Sequence, residues 1–218
     1  MSTTGTDAYT DLDGLPPLVR AAVLLARESG FGYSCLPEHG RLLQLLAGGV
    51  SGGIVGETGT GCGVGLAWLA EGARPGTRLV SVERDPERAA RAAWLFAGRP
   101  DVSVLTGDWR SLREYGPFDL LALDGGGQGK GGDPAADAAD PARWLTTGGL
   151  LVMDDFSPLT QWPPLFEGEV DAARLHWLDH PRLRATQLNL TPAAATLLAT
   201  YIGPDDARTE PQRTDSES

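Results

Sequence analysis

The sequence is poor in cysteine, in lysine and in long apolar runs, and each shortage closes off a class of proteins. Two cysteines, Cys35 and Cys62, in 218 residues cannot build a disulfide framework or a Cys-rich zinc site. Lys130 is the single lysine, and even with arginine included 18 basic residues face 29 acidic ones, a net charge of −11. That balance argues against nucleic-acid coating and against resting on an anionic membrane, since both need clustered Lys and Arg. No apolar stretch reaches the roughly 18 residues of a membrane span, and neither end pairs a basic segment with an apolar core. A cytoplasmic protein is the expectation. Glycine, by contrast, is in excess: 29 of 218 residues, about twice the usual share of roughly 7%.

Both ends are polar, rich in Thr, Asp and Ser, and lack apolar periodicity. Residues 1–13 hold three Asp, and residues 204–218 hold five acids against two Arg, so each end carries −3. They read as disordered tails, acidic at the C-terminal end, around one domain at 14–203. Within it, strand-like and helix-like segments alternate. Leu18–Leu25 and Leu42–Leu46 look helical. Gly53–Gly56, Arg78–Glu83, Val102–Leu105, Phe118–Leu123 and Leu150–Met153 read as short buried strands. Leu66–Ala70, Glu87–Ala97 (after Pro86 in a first turn) and Pro141–Leu145 supply helices between them. A parallel sheet covered by helices on both faces follows from such alternation. Helical Ala172–Leu178 then precedes an antiparallel hairpin, Arg184–Leu190 with Ala195–Ile202, which brings the expected strand count to seven.

The sharpest motif lies between the first strand and the next helix: Glu57-Thr58-Gly59-Thr60-Gly61-Cys62-Gly63-Val64-Gly65. Glycines there let the backbone turn tightly and approach a ligand, while the next helix offers free N–H groups. The dinucleotide fingerprint Gly-x-Gly-x-x-Gly fails in both registers, because Val64 and Leu66 occupy the sixth place. A nicotinamide dehydrogenase is disfavoured on that spacing. An acid at the mouth of the loop suits a ligand carrying an ammonium group and repels a pyrophosphate.

Glu57–Gly63, followed by a strand Leu79–Glu83 that ends in an acid, resembles class I S-adenosylmethionine (SAM) dependent methyltransferases. The same loop, Val82-Glu83-Arg84-Asp85-Pro86-Glu87-Arg88 and Pro37-Glu38-His39-Gly40-Arg41-Leu42-Leu43 are similar to the small catechol-type, metal-dependent O-methyltransferases over residues 36–203. The resemblance implies a Rossmann-like α/β fold, with a seven-stranded mostly parallel sheet, a C-terminal antiparallel hairpin and helices on both faces. It also implies cofactor positions. Gly59, Gly61 and Gly63 form the loop, and Glu57 faces the methionine end. Glu83 accepts both ribose hydroxyls, which suits a carboxylate with two acceptor oxygens. Asp108 takes the adenine amino group, and Trp109 stacks on the ring.

Ligands of open α/β sheets collect at the carboxyl ends of the strands. Asp124 follows the fourth strand and Asp154-Asp155 the fifth, so these acids are expected to converge near the SAM loop, where a hard cation such as Mg²⁺ would suit them. The resembled family holds its metal with an Asp after the fourth strand and Asp-Asn after the fifth; here the pair is Asp154-Asp155. It also places a basic lysine three residues after the fourth-strand Asp, where this chain has Gly127. Lys130, six residues on in a glycine-rich loop, is the candidate base together with Asp124. His39 and the Trp162-Pro163-Pro164 run are weaker candidates for the acceptor side.

The expectation is methyl transfer from SAM to a hydroxyl oxygen of a small-molecule acceptor, with Mg²⁺ assistance, no nucleic-acid or membrane partner, and a homodimer as a compatible assembly. Two alternatives stay open: a non-catalytic SAM-binding or regulatory protein, and transfer to a cationic amine. Methylation of nucleic-acid bases is disfavoured because Asp124-Gly125-Gly126-Gly127 stands where Asn/Asp-Pro-Pro-aromatic is common.

Overall fold

Strands that must be buried on both faces read as near-continuous apolar runs, and β1 (Ile54–Thr58), β2 (Arg78–Glu83), β3 (Val102–Thr106), β4 (Phe118–Leu123) and β5 (Leu145–Phe156) have this character. The structure is a computed structural model and describes residues 5–204. These five strands pair in parallel in the order β3-β2-β1-β4-β5. A short antiparallel pair, β6 (Leu165–Phe166) and β7 (Glu169–Val170), stands apart. The hairpin β8 (Leu183–Asn189) and β9 (Ala195–Tyr201) completes a seven-stranded sheet, with β9 antiparallel to β5 and β8 on the edge. The strand order reverses at β1 and β4, the kind of switch point at which a crevice opens beyond the strand ends.

Helices α1 (Pro17–Glu28), α2 (Pro37–Gly49), α3 (Val64–Gly72), α4 (Pro86–Leu95), α5 (Pro134–Asp137), α6 (Pro141–Trp144) and α7 (Ala172–Leu178) connect and cover the sheet. Five of them begin with proline, whose fixed φ and missing N–H suit a first turn. Alternate residues of one strand separate into two cores. Leu120 and Ala122 pack with α1, α2 and α3, whereas Leu121 and Leu123 pack with Trp144, Trp177 and the β8–β9 hairpin. Among the described residues no helix is long and apolar enough to cross a membrane.

The expected α/β architecture with its terminal hairpin is observed. Three details differ. The fifth strand begins at Leu145, earlier than its apolar run, and its pairing with β4 shifts register between Phe118 and Leu120. The β6–β7 excursion was not anticipated, because two-residue strands carry no periodicity. The third difference concerns the N-terminus. Residues 5–13, expected to be part of a tail, form a 3-10 turn at Thr6–Ala8 and bury Tyr9 to 1% exposure. The Tyr9 hydroxyl donates to the Cys35 carbonyl and accepts from Trp68 Nε1, each at 3.0 Å. Thr6 Oγ1 donates to the Phe31 carbonyl at 2.6 Å. One buried aromatic outweighs the polar composition around it. The stretch expected as the acidic tail lies, from residue 205 on, outside the described residues.

Replacing Tyr9 by Phe removes one hydroxyl and strands two buried partners. Chemical denaturation of Tyr9→Phe is expected to show a loss of about 1–3 kcal/mol with an unchanged denaturant slope. An unaltered midpoint would mean that the hydroxyl's two hydrogen bonds add nothing to the domain.

Candidate active site

The turn after β1 is built around a contact between two backbones. Gly59 has φ +87°, and a Cβ placed on it would lie 2.4 Å from the Gly125 amide nitrogen; a Cβ on Gly125 would meet Gly59 Cα at the same 2.4 Å. Only glycine meets both demands at Gly59, the left-handed backbone and the close approach. Hydrogen bonds lock the crossing. Asp124 N and Gly125 N donate to Thr58 O at 3.1 and 2.6 Å, and Gly59 N donates to Val82 O at 2.8 Å. The ends of β1, β2 and β4 are thereby joined.

Above this junction a cleft of about 910 Å³ runs from Glu83 and Asp85 past Gly59 and Gly61 to Asp108, Trp109, Asp124 and Gly125. Glu83 ends β2 and is only 6% exposed. Its Oε2 accepts from Gly61 N at 2.8 Å, and its Oε1 accepts from Asp85 N at 2.9 Å and from Arg88 at 3.3 Å. The carboxylate thus clamps the glycine loop to the start of α4, with acceptor capacity left on Oε2. Asp108 caps the 3-10 turn Trp109–Tyr115 by accepting from Arg110 N at 3.0 Å, and its side chain stays exposed at the cleft wall. Trp109 lies between the cleft and the second core, 5.5 Å from Trp144 by ring centroids. Gly126 passes beneath it so closely that a Cβ would sit 2.4 Å from its ring.

Glu57 takes a different place from the one expected at the methionine end. It is 3% exposed and does not line the cleft. Its Oε2 accepts from Ser81 Oγ at 2.5 Å, Ser81 pairs with Thr60 at 2.6 Å, and its Oε1 presses against Gly65 in the first turn of α3. Glu57 therefore supports the loop from below. Burial first, and the charge of Glu83 second, push its carboxyl up to about 8 against the pull of the Ser81 hydroxyl.

At the far end of the cleft Asp124 is half-buried. Burial, then the charges of Asp154, Asp155 and Glu57, push its carboxyl well above the usual carboxylate range. Asp154 is 7% exposed, with His39 Nδ1 at 3.6 Å from its Oδ1; that buried nitrogen has no hydrogen-bond partner. Asp155 sits at φ +66°. Lys130 Nζ reaches this strand end, donating to the carbonyls of Asp154 at 3.0 Å and Asp155 at 2.9 Å. The loop carrying it is tied down. Gln128 is buried and donates through Nε2 to Leu123 O at 2.5 Å, while its carbonyl accepts from Trp177 Nε1 at 2.9 Å.

The Mg²⁺ set expected from Asp124, Asp154 and Asp155 is not assembled. Among the described residues no group of three or more His, Cys, Asp and Glu side chains could hold a metal ion. The acids are instead neighboured by an ammonium group already bound to the strand end. Trp162 is exposed on another surface, beside Leu159 and Leu178, and does not line the cleft. Residues that sequence reasoning missed do line it: Phe31 and Tyr33, whose rings meet edge-on at 5.6 Å, and Arg88, which pairs with Glu83 and Asp85. The aromatic-x-aromatic spacing between α1 and α2 was the only available signal for the first two.

Because Glu57 ionises at about 8 in the folded protein and near 4.5 in an open chain, the native state holds a proton that the unfolded state has lost between those values. Stability is therefore fullest below the lower value and falls as pH rises through the window, by up to about 1.4 kcal/mol per pH unit. Thermal melts from pH 5 to 8, a span set by that window, are expected to show this decline, and Glu57→Gln to flatten it. A wild-type slope that survives the substitution would place the titration elsewhere.

A family profile described as a methyltransferase domain matches residues 57–156, the stretch from the glycine loop to the end of β5. A protein of Mycobacterium marinum named as an O-methyltransferase is 32% identical over 223 aligned residues, covering 88% of this chain and 95% of that one. A catechol O-methyltransferase of Mycobacterium tuberculosis is 40% identical over 127 residues, which span 54% of this chain and 58% of that protein. The crystal structure of cofactor-bound Rv0187 from MTB superposes with a TM-score of 0.71 at 26% identity, covering 94% of this chain and 99% of that chain. The glycine crossing, the acid-ended second strand and these similarities together place the chain in the O-methyltransferase family, on the class I SAM-dependent methyltransferase fold.

Proposed function

We propose that the chain carries the methyl group of SAM to a hydroxyl oxygen of a small acceptor of the phenolic or enolic kind, with Asp124 receiving the acceptor's proton. The observation that carries the reading is the cleft itself, which starts at a carboxylate clamping the glycine loop and ends at a second carboxylate of raised pKa. The catechol O-methyltransferase name of one relative supports the acceptor class.

Glu83, held by Gly61 N and Asp85 N, presents its remaining acceptor capacity to the ribose hydroxyls. Asp108 and Trp109 form the adenine end. The sulfonium then lies toward Gly59 and Asp124. An acidic wall there favours a cation over the neutral thioether left after transfer, so binding and release share one electrostatic cause. In the reaction the acceptor oxygen forms a bond to the methyl carbon as the carbon–sulfur bond breaks. Sulfur keeps the electron pair as a thioether, and the hydroxyl proton passes to Asp124 and on to solvent. Asp124 suits this role because burial, and then the neighbouring acids, raise its affinity for a proton. Holding the two reactants in line supplies much of the acceleration. No step of this reading passes through a metal ion, since with Lys130 bound at the β5 terminus no metal-ligand group is assembled among the described residues.

Calorimetry is expected to show binding of SAM and none of NAD, and absence of SAM binding would end the reading. Glu83→Ala should weaken SAM by roughly tenfold to a hundredfold, the loss of hydrogen bonds to a charged acceptor. With a panel of catechols as acceptors and SAM at saturation, Asp124→Asn should lower kcat by roughly 10²–10⁴. Wild-type turnover in that variant would remove Asp124 as the proton acceptor.

A further inference from the structure

The end of β5, where Asp154 and Asp155 lie, has a cation bound to its backbone. Lys130 Nζ is 3.0 Å from Asp154 O, 2.9 Å from Asp155 O and 3.9 Å from the centroid of the Phe156 ring. Two ammonium protons go to carbonyls at one strand terminus and the charge rests over an aromatic face, although the residue as a whole stays exposed. Burial of the head group, the largest influence, lowers the pKa of this ammonium, and the charges of Asp155, Asp154, Asp124 and Asp171 oppose that shift. The placement is not that of a side chain on a loose arm. Gln128 anchors the preceding residues to β4, Trp177 holds Gln128 from α7, and Ala139 N donates to Gly127 O at 2.9 Å on the far side of the loop.

The local sequence fits this geometry. Where the resembled family carries a lysine three residues after the fourth-strand Asp, this chain has Gly127; where that family carries Asn beside its fifth-strand Asp, this chain has Asp155. This chain therefore sets its single lysine six residues after Asp124 and carries an acid at position 155. Within residues 124–155 six Asp accompany only Lys130 and Arg143; Arg143 pairs with Asp140, whereas Lys130 donates to the strand end.

We propose that the Lys130 ammonium is the resident cation of the Asp124–Asp154–Asp155 cluster, standing in place of a divalent ion, so that this enzyme works without one. A divalent cation entering the cluster would meet a positive charge already bonded to the β5 terminus. The inference rests on the methyl-transfer reading for its catalytic consequence, whereas the ion-binding half stands on the geometry alone.

The test is Mn²⁺ binding followed by the electron paramagnetic resonance of the free ion, on the full chain with S-adenosylhomocysteine. Wild type should leave the free-ion signal undiminished. Lys130→Met, which keeps the apolar stem over Phe156 and removes the charge, should bind Mn²⁺ roughly tenfold or more tightly. Lys130→Arg should behave as wild type. Binding of Mn²⁺ by the wild type, or a folded Lys130→Met that gains none, overturns the proposal; the wild-type measurement stands even if the variant does not fold. Turnover of the wild type on the catechol panel should be unchanged in excess EDTA, and a loss restored by Mg²⁺ would likewise overturn it. Failure to bind SAM in calorimetry sinks the methyl-transfer reading and leaves the Mn²⁺ result intact, so the two can fail separately.

Discussion

The contact between Gly59 and Gly125 is the constraint on which the rest of the site depends. Two chain segments, one leaving β1 and one leaving β4, pass so near that neither tolerates a Cβ at 2.4 Å. Because β1 and β4 are the pair at which the sheet order reverses, their ends would otherwise diverge into an open crevice. The glycine contact closes the floor of that crevice, and the Thr58 carbonyl holds it closed by accepting from both Asp124 N and Gly125 N. Asp124 is consequently delivered to the cleft by backbone geometry rather than by a flexible side chain. Glu83 is fixed from the other side through Gly61. Two carboxylates that line one cleft are therefore tied to the same junction.

Electrostatics gives this junction its chemistry. Of the net −11, six units come from residues 1–13 and 204–218, and the segment 124–155 holds six Asp against Lys130 and Arg143. The acids do not act alike. Glu57 is buried under the loop, where a proton is retained up to about 8, and so contributes support more than charge. Glu83 is tied into backbone N–H groups and an arginine. Asp124 lies among like charges that raise its proton affinity. Environment thus divides support, cofactor binding and proton acceptance among residues that look equivalent in a one-letter sequence.

Much of the fold was legible. Apolar runs located the sheet strands, Pro86 marked the start of α4, and the late antiparallel hairpin was visible as two strand-like segments around residues 191–194. The misses have physical causes. Tyr9 lies in a polar stretch, and composition averages away the single aromatic that packs on Trp68 and Cys35. The β6–β7 pair has too few residues for any period to show. In the site, Glu83, Asp108, Trp109 and Asp124 line the cleft as motif position suggested, but Glu57 turned inward because Gly65 leaves room for its carboxylate beneath α3. Phe31 and Tyr33 escaped notice since a loop between helices has no pattern that fixes its direction.

Sequence alone determined what depends on local spacing: the α/β alternation, the glycine loop after β1, the acids at strand ends and the failure of the dinucleotide fingerprint. Backbone φ and the carboxyl-end rule act over a few residues, so they can be read without a fold. Tertiary structure decided what depends on distance between remote segments. It decided that Glu57 supports the loop, that residues 5–13 are packed, that the acids of β4 and β5 do not form a metal cage, and that the only lysine reaches the β5 terminus. Each is a matter of which atoms fill a shared space, and that is settled only when the sheet brings the strand ends together.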